Sequence, residues 1–186
     1  MVTKRDDAPG ELELVRAFVN TLDVEGGADE LSTPAALAGW LQERGLLEQG
    51  FRVEKSELGR ALAVRAALRA LLVANTAGEL APGAAATLDD AARRAGVALR
   101  FLPDGNALQE PAARGVDGAI GRVLAIVAAA QAEGTWTRLK ACRNGDCLWA
   151  FYDRARNRSR SWCSMSVCGN RAKARAYRAR RSAAGR

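Results

Sequence analysis

The 186-residue sequence contains no histidine, the side chain that most often serves as a general base near neutral pH. This absence excludes Ser–His–Asp and Cys–His catalytic arrangements and the HExxH motif of zinc proteases. A glycine-rich phosphate-binding loop is also missing. We therefore expect that the protein is not an enzyme.

Long apolar runs are absent as well. No uninterrupted stretch of about 18 apolar residues occurs, so no membrane-spanning segment is expected. The N-terminus has no apolar stretch of the kind found in secretory signals, which predicts a cytoplasmic protein with reduced thiols. Hydrophobic residues nevertheless make up 48% of the chain, which is enough to form a buried core.

Acidic residues are scarce at one end of the chain only. Residues 136–186 contain 14 lysines and arginines and two aspartates, for a net charge of +12. Residues 1–135 contain 14 basic and 19 acidic residues, for a net charge of −5. A cationic segment set apart in this way is typical of nucleic-acid-binding proteins. The alternative is a solvated basic tail that only aids solubility.

The first half of the chain shows mostly helical patterns. Apolar residues recur at helical spacing over residues 12–22, where a strand is the alternative. Thr33 is the expected N-cap of a second helix. Ser56 is the expected N-cap of a longer third helix, which extends to about Thr76.

A change of period follows the fourth helix, which is rich in alanine and ends at Gly96. Residues 97–102 and 107–110 predict two short strands joined by the turn at residues 103–106. Asp117 is the expected N-cap of a fifth helix. These elements predict a mainly α domain that contains a small β-hairpin.

We place the boundary of this domain between residues 134 and 135, so that residues 1–134 form one unit and residues 135–186 a second. In the second unit, residues 135–141 and 148–152 have strand patterns, and a helix is predicted from Gly169 to about Ser182.

The second unit contains all four cysteines of the chain, in two C-x4-C pairs separated by 15 residues: Cys142 and Cys147, then Cys163 and Cys168. In a reducing compartment this spacing favours a tetrahedral four-thiolate zinc site over two disulfides or four free thiols. Because histidine is absent, all ligands must be sulfur, and the filled site would hold one structural ion without doing chemistry on substrates. Its binding would contribute on the order of 10 kcal/mol to folding.

The surroundings of the pairs predict a treble-clef-like finger. Asn144 and Gly145 supply a tight turn inside the first pair. The second pair lies where the last helix begins, so that free backbone N–H groups face the Cys168 sulfur. Trp149, Phe151 and Trp162 are expected to form the core of the finger.

A resemblance to the CGNR zinc finger family is carried by the segment CRNGDCLWAFYDRARNRSRSWCSMSVCGNRAKARAYRARR, within which CGNR occupies residues 168–171. The upstream chain is similar to the ABATE domain that accompanies this finger in bacteria. That similarity is carried by the run FVNT at residues 18–21 and by matching positions between residues 33 and 46. The resemblance implies a bacterial transcription regulator linked to stress.

The last helix concentrates the cationic residues expected to bind nucleic acid: Arg171, Lys173, Arg175, Arg178, Arg180 and Arg181. At 100° per residue, Arg171, Arg175 and Arg178 lie on one face, within about 60° of each other. Alanines at 172, 176, 179 and 183 form a stripe suited to docking on the finger. Arg171 has an alternative role, which is to neutralise the charge of the zinc–thiolate cluster.

The leading functional prediction is a zinc-dependent regulator that binds DNA through this finger and helix. An RNA-binding protein and a protein-interaction module with a purely structural zinc site are the alternatives. A small-molecule effector on the N-terminal domain would suit a regulator, with Asn20 and Thr21 as candidate ligand contacts. These two residues have a simpler alternative role in capping or turning the chain.

Overall fold

The computed structural model describes residues 7–79 and 81–184 and is mainly helical, as the sequence predicts. The prediction that the chain has no secretory signal depends partly on residues 1–6, which lie outside these ranges. The helices are α1 (Leu12–Asn20), α2 (Pro34–Glu43), α3 (Lys55–Ala77), α4 (Ala84–Ala95), α5 (Gly115–Ala132) and α6 (Asn170–Ala184). Two antiparallel pairs of strands accompany them: β1 (Val97–Phe101) with β2 (Ala107–Pro111), and β3 (Leu139–Ala141) with β4 (Ala150–Tyr152).

Side-chain capping explains where α2 and α3 begin, and two of the predicted caps are wrong. Thr33 caps α2 as expected, because its hydroxyl accepts a hydrogen bond from the Ala36 N–H at 3.1 Å. Ser56 lies within the first turn of α3, where the Glu57 carboxylate accepts a hydrogen bond from the backbone N–H of Glu54 at 2.8 Å. Asp117 also lies inside its helix, since α5 already begins at Gly115.

Instead of capping α5, Asp117 forms an ion pair across the fold. Both of its carboxylate oxygens accept hydrogen bonds from Arg60 of α3, at 3.1 Å each. This ion pair links α3 to α5, a contact that the local sequence pattern does not predict.

The two strand pairs differ in length from their predictions. In the first hairpin Val97 pairs with Pro111 and Phe101 with Ala107, which confirms the predicted turn. In the second, Leu139 pairs with Tyr152 and Ala141 with Ala150. The predicted strand over residues 135–141 is shorter than expected, because residues 136–138 form a single 3₁₀ turn.

A single apolar core extends from the helices to the second strand pair. It includes Val15 of α1, Leu37 of α2 and Leu68 of α3, together with Leu139 of β3 and Ala150 of β4. Side chains of α3 also bind β3 directly: Asn75 Nδ2 donates to the Leu139 carbonyl and the Thr76 hydroxyl to the Ala141 carbonyl, both at 2.8 Å. The strands that lead into and out of the first cysteine pair are therefore fixed on the helical core.

Helix α5 is long and apolar enough to cross a bilayer by its length and composition alone. Over half of it is buried inside the protein, where it packs against α1, α3 and α4. Burial of this kind is typical of the central helix of a folded core, whose apolar residues contact protein and not lipid.

Candidate metal centre and nucleic-acid interface

The four cysteines that are separated in sequence lie together in the fold. Their Sγ atoms are all within 4.8 Å of one another. The Sγ atom of Cys163 lies 3.6 Å from that of Cys147 and 3.7 Å from that of Cys168. All four are free thiols, and Cys163 alone among them is only half-buried.

This cluster has the dimensions of a zinc–thiolate site. Four sulfurs placed 2.3 Å from a central ion, at the corners of a tetrahedron, lie about 3.8 Å apart. The two sulfur–sulfur distances of 3.6 and 3.7 Å are close to that value. Trp149 and Trp162 pack against the cluster, as the sequence predicts. Phe151 is also fully buried, but its ring lies under the Arg160 guanidinium.

The first cysteine pair is shaped by backbone hydrogen bonds. The N–H groups of Cys147 and Leu148 both donate to the Asn144 carbonyl, at 2.9 and 3.0 Å. The Cys142 N–H donates to the Trp149 carbonyl at 2.9 Å, which extends the β3–β4 pairing up to the turn. Leu148 has a φ of +49°, an uncommon conformation for a residue other than glycine.

The second pair is shaped by a wide turn that leads into α6. Residues Met165–Gly169 form one turn of π-helix, and the Ser164 hydroxyl accepts a hydrogen bond from the Val167 N–H at 3.3 Å. A Cβ atom at position 169 would meet the sulfur of Met165, whose exposed and flexible side chain could move aside. Cys168 is consequently held at the base of α6, as the sequence predicts.

The close spacing of the four sulfurs lowers the pKa of one thiol and raises the pKa values of two others. Hydrogen bonds from Cys147 and Cys163 lower the pKa of Cys142 to about 2. The interaction with Cys142 raises the pKa of Cys147 to about 12 and also raises that of Cys163. Several thiolates at this spacing thus repel one another. A divalent cation is the kind of group that would stabilise all four in the ionised form.

A buried ion pair lies in the β3–β4 hairpin, where sequence reasoning did not place one. Lys140 Nζ lies 2.9 Å from Asp153 Oδ2, and both side chains are almost entirely buried. Asp153 also accepts hydrogen bonds from the backbone N–H groups of Ala155 and Arg160, at 2.9 and 3.0 Å. Burial by itself raises the pKa of Asp153, but the hydrogen bond from Lys140 and those two backbone bonds lower it overall.

This ion pair organises the arginine-rich loop between β4 and the second cysteine pair. Lys140 also donates to the Arg158 and Arg160 carbonyls. The guanidinium of Arg160 donates to the carbonyls of Trp162 and Cys163 and lies 4.6 Å from the centre of the Phe151 ring. Arg154, Arg156 and Arg158 are exposed on the outside of the loop.

Asn20 and Thr21, the candidate ligand contacts, have partners inside the protein. Asn20 donates to the Ala150 carbonyl at 2.9 Å and accepts from the Ala150 N–H at 2.8 Å, so that it continues β4 like a strand neighbour. The Thr21 hydroxyl donates to the Phe18 carbonyl and accepts from Arg65. A ligand role for these two residues stays a prediction, and their internal bonds favour the structural alternative.

Helix α6 places its cationic residues on the surface. Arg171 forms an ion pair with Glu25, and Arg175 Nη2 donates to Asn144 Oδ1 at 2.9 Å. The guanidinium of Arg181 lies 5.9 Å from the centre of the Tyr177 ring. Within the described part of the chain, Lys173, Arg178 and Arg180 have no carboxylate partner.

The predicted alanine stripe on this helix does not dock on the finger. Ala172 is half-buried, but Ala176 and Ala179 are exposed, and the side chain at position 183 lies outside the described ones. Every described side chain from residue 173 to 182 is exposed. The helix therefore projects from the finger, which leaves most of its circumference accessible.

Comparison with protein-family models identifies two adjoining matches. Residues 12–136 match ABATE, described as "Putative stress-induced transcription regulator", and residues 138–181 match the CGNR zinc finger. A comparison with curated proteins gives no significant match. The first match covers more than half of the chain, and neither description is that of an enzyme. The protein therefore belongs to the ABATE family and carries a CGNR zinc finger at its C-terminal end.

Proposed function

We propose that this protein is a cytoplasmic bacterial transcription regulator whose finger holds one structural zinc ion and whose α6 binds DNA. Cys142, Cys147, Cys163 and Cys168 would be the ligands of the ion. The observation that carries the proposal is the exposure of α6, which has six cationic residues and no acidic one, at the base of the four-sulfur cluster.

The cysteine cluster would fix the orientation of α6 and therefore of its cationic side chains. Cys168 lies two residues before α6 begins, so a metal bound there would anchor the first turn of the helix. The hydrogen bond from Arg175 to Asn144 ties the next turn to the first cysteine pair. A rigid helix with cations on several faces suits contacts to phosphates on both walls of a groove.

The six candidate residues divide by their internal contacts. Arg171 and Arg175 have partners within the protein, whereas Lys173, Arg178 and Arg180 extend into solvent without a described carboxylate. We propose that the second group makes the main phosphate contacts. Exposed arginines of the loop, Arg154 to Arg158, would extend the same positive surface.

The test compares binding to duplex DNA, structured RNA and heparin over a range of salt concentrations. For DNA binding we expect a steep fall of affinity with salt, because each phosphate contact releases counterions. Replacing Arg178 with alanine should weaken binding and reduce the salt slope by about 1. Arg52→Ala is the matched control, since Arg52 is exposed in the loop before α3 and changes the net charge equally. Equal, weak affinity for the three polyanions, or an unchanged slope for Arg178→Ala, would contradict the proposal.

RNA is the second candidate partner. Tyr177 is 54% exposed among the arginines of α6, where its ring is available to stack on an unpaired base. Replacing Tyr177 with leucine should then weaken binding to single-stranded loops and leave duplex DNA binding unchanged.

A further inference from the structure

Arg69 of α3 is a buried cation whose hydrogen-bonding capacity is only partly used. It is 8% exposed, and its Nη2 donates to the Val19 and Leu22 carbonyls at 2.6 and 2.8 Å. Its Nε is buried without a partner, and no described group accepts a hydrogen bond from its Nη1. An unpaired donor at a buried charged group is costly.

The neighbouring Arg65 is also buried, but its charge is balanced by a carboxylate. Its two terminal nitrogens donate to the two oxygens of Asp29, at 2.6 and 2.7 Å. That contact lowers the pKa of Asp29. Arg69 has no carboxylate of its own among the described residues, so one of two adjacent buried cations is left without an anionic partner.

A cleft of about 440 Å³ opens beside Arg69. Most of its wall is apolar, formed by Ala66, Ala70 and Val73 of α3 together with Pro82 and Leu148. Glu79 and Ala81, which are both exposed, complete the lining. The cleft thus combines a small-residue apolar wall with one guanidinium that has donors to spare.

We propose that this cleft binds a small organic monocarboxylate, whose carboxylate pairs with Arg69 and whose apolar body lies against the alanines of α3. Because Nη2 of Arg69 is already occupied by two carbonyls, its Nη1 would donate a charge-assisted hydrogen bond to the carboxylate. The apolar wall favours an organic acid over a hydrated inorganic anion. The carboxylate of Glu79 opposes a second negative charge, which favours a monoanion.

The charge balance around Arg69 supports this assignment. Burial is the main cause of a lowered pKa at Arg69, and the adjacent Arg65 lowers it further. Asp29 and the Cys147 sulfur act in the opposite direction without restoring the ordinary value. The groups already present therefore under-compensate the charge, and a bound anion would supply what is missing.

The position of the cleft gives such a ligand a route to the finger. Leu148, which lines the cleft, directly follows the ligand residue Cys147 and has the positive φ described above. A molecule seated on Leu148 would contact the first cysteine pair and α3 at once. It would thereby act as the effector of the proposed regulator, and only this last step rests on the proposed function.

The binding test uses the full-length, metal-loaded protein without nucleic acid, so that its failure is separate from a failure of DNA binding. Benzoate and hexanoate are the probes, benzyl alcohol and hexanol their neutral counterparts, and inorganic phosphate the inorganic anion. We expect saturable binding of at least one carboxylate by calorimetry, with a matching rise in Tm. Binding of phosphate alone, equal binding of the alcohols, or no carboxylate binding at millimolar concentration would overturn the proposal.

Three variants locate the site. Ala70→Leu fills the cleft and keeps Arg69, so it should weaken carboxylate binding at least tenfold, whereas Ala63→Leu, two turns earlier on α3 and outside the lining, should leave it unchanged. Arg69→Lys keeps the charge but removes the Nη1 donor, and it should also weaken binding. Equal affinity in Ala70→Leu and Ala63→Leu would show that the probe binds elsewhere and overturn the assignment.

Discussion

Between residues 7 and 135 the protein buries long aliphatic side chains from several helices, such as Val15, Leu37 and Leu68. After Asp153, by contrast, only Cys168 and Gly169 are buried among the described side chains up to residue 182. Apolar burial stabilises a fold by roughly 25 cal/mol per Å², so the C-terminal end has almost none of this stabilisation. One end is therefore built by its apolar core, whereas the other contains a cluster of four cysteines that could hold a metal.

The β3–β4 hairpin lies between these two regimes. Its outer residues belong to the apolar core, but Lys140 and Asp153 form a buried ion pair at the point where the core ends. The hairpin therefore connects the apolar core to the part of the chain that contains the cysteine cluster and the buried ion pair. Four substitutions, from the largest expected effect to the smallest, test this division.

Replacing Cys168 with alanine should have the largest effect, because it removes one of four ligands from a region without a core. Metal binding worth on the order of 10 kcal/mol would be lost or greatly weakened. Hydrogen exchange should then show lost protection in α6 and around both cysteine pairs, while α1 to α5 stay protected. Ser166→Ala, an exposed change in the same turn, is the control. Equal loss of protection in α1 to α5 would show that the helical part also depends on the metal.

Asp153→Asn should come next, with a loss of about 3–5 kcal/mol in the free energy of unfolding, since it leaves Lys140 charged and buried without its partner. Urea unfolding measures this loss. Asp104→Asn, in the exposed turn between β1 and β2, is the matched control. A loss no larger than that of the control would mean that the ion pair does not hold the hairpin.

The same carboxylate gives a pH dependence with a definite sign. Because the pKa of Asp153 is lowered in the folded protein, its ionised form stabilises the fold at pH values above the ordinary aspartate pKa of about 3.9. The contribution disappears as the pH falls through the lowered folded value. The difference in stability between the wild type and Asp153→Asn should therefore be constant near neutrality and shrink in acid.

Leu37→Ala probes the other side of the comparison. Leu37 is fully buried in the core of the helical part, and its truncation should cost about 2–5 kcal/mol. The metal content should not change, because Leu37 belongs to the helical core, whereas the cysteines form a separate cluster. Leu99→Ala serves as the control, since Leu99 is 65% exposed and its truncation should have little effect. Loss of metal from Leu37→Ala would show that the two regions fold as one unit.

Glu25→Gln should have the smallest effect on stability, because its ion pair with Arg171 is largely exposed. It sharpens the comparison through function. Glu25 competes with phosphate for Arg171, so its neutralisation should raise DNA affinity severalfold. Glu30→Gln is the control, because Glu30 is a nearby acidic residue without a described ion pair to α6. Equal gains in DNA affinity in both variants would mean that the change in net charge alone causes the gain.

The parts of the fold that depend on local pattern could be predicted from the sequence. The spacing of Cys142, Cys147, Cys163 and Cys168 was sufficient to predict their convergence, because four soft ligands at this spacing have one common use in a reducing compartment. Thr33 and Gly96 mark helix ends by their own backbone and side-chain chemistry, and both predictions are confirmed.

Contacts between distant residues could not be predicted in this way. Asn20 binds the backbone of Ala150, 130 residues away, and Asp117 binds Arg60 instead of capping its helix. Local spacing carries no information about such partners. The alanine stripe on α6 fails for a related reason: the pattern is present, but it does not reveal whether another element covers it, and Ala176 and Ala179 are exposed.

The central claim is that a single metal ion, bound by sulfur alone, holds the C-terminal end and aims α6. X-ray absorption at the zinc edge, on reduced full-length protein of known metal content, tests it most directly. We predict one zinc per chain with four sulfur neighbours at about 2.3 Å. A substoichiometric metal content, or nitrogen and oxygen atoms in the first coordination shell, would contradict it.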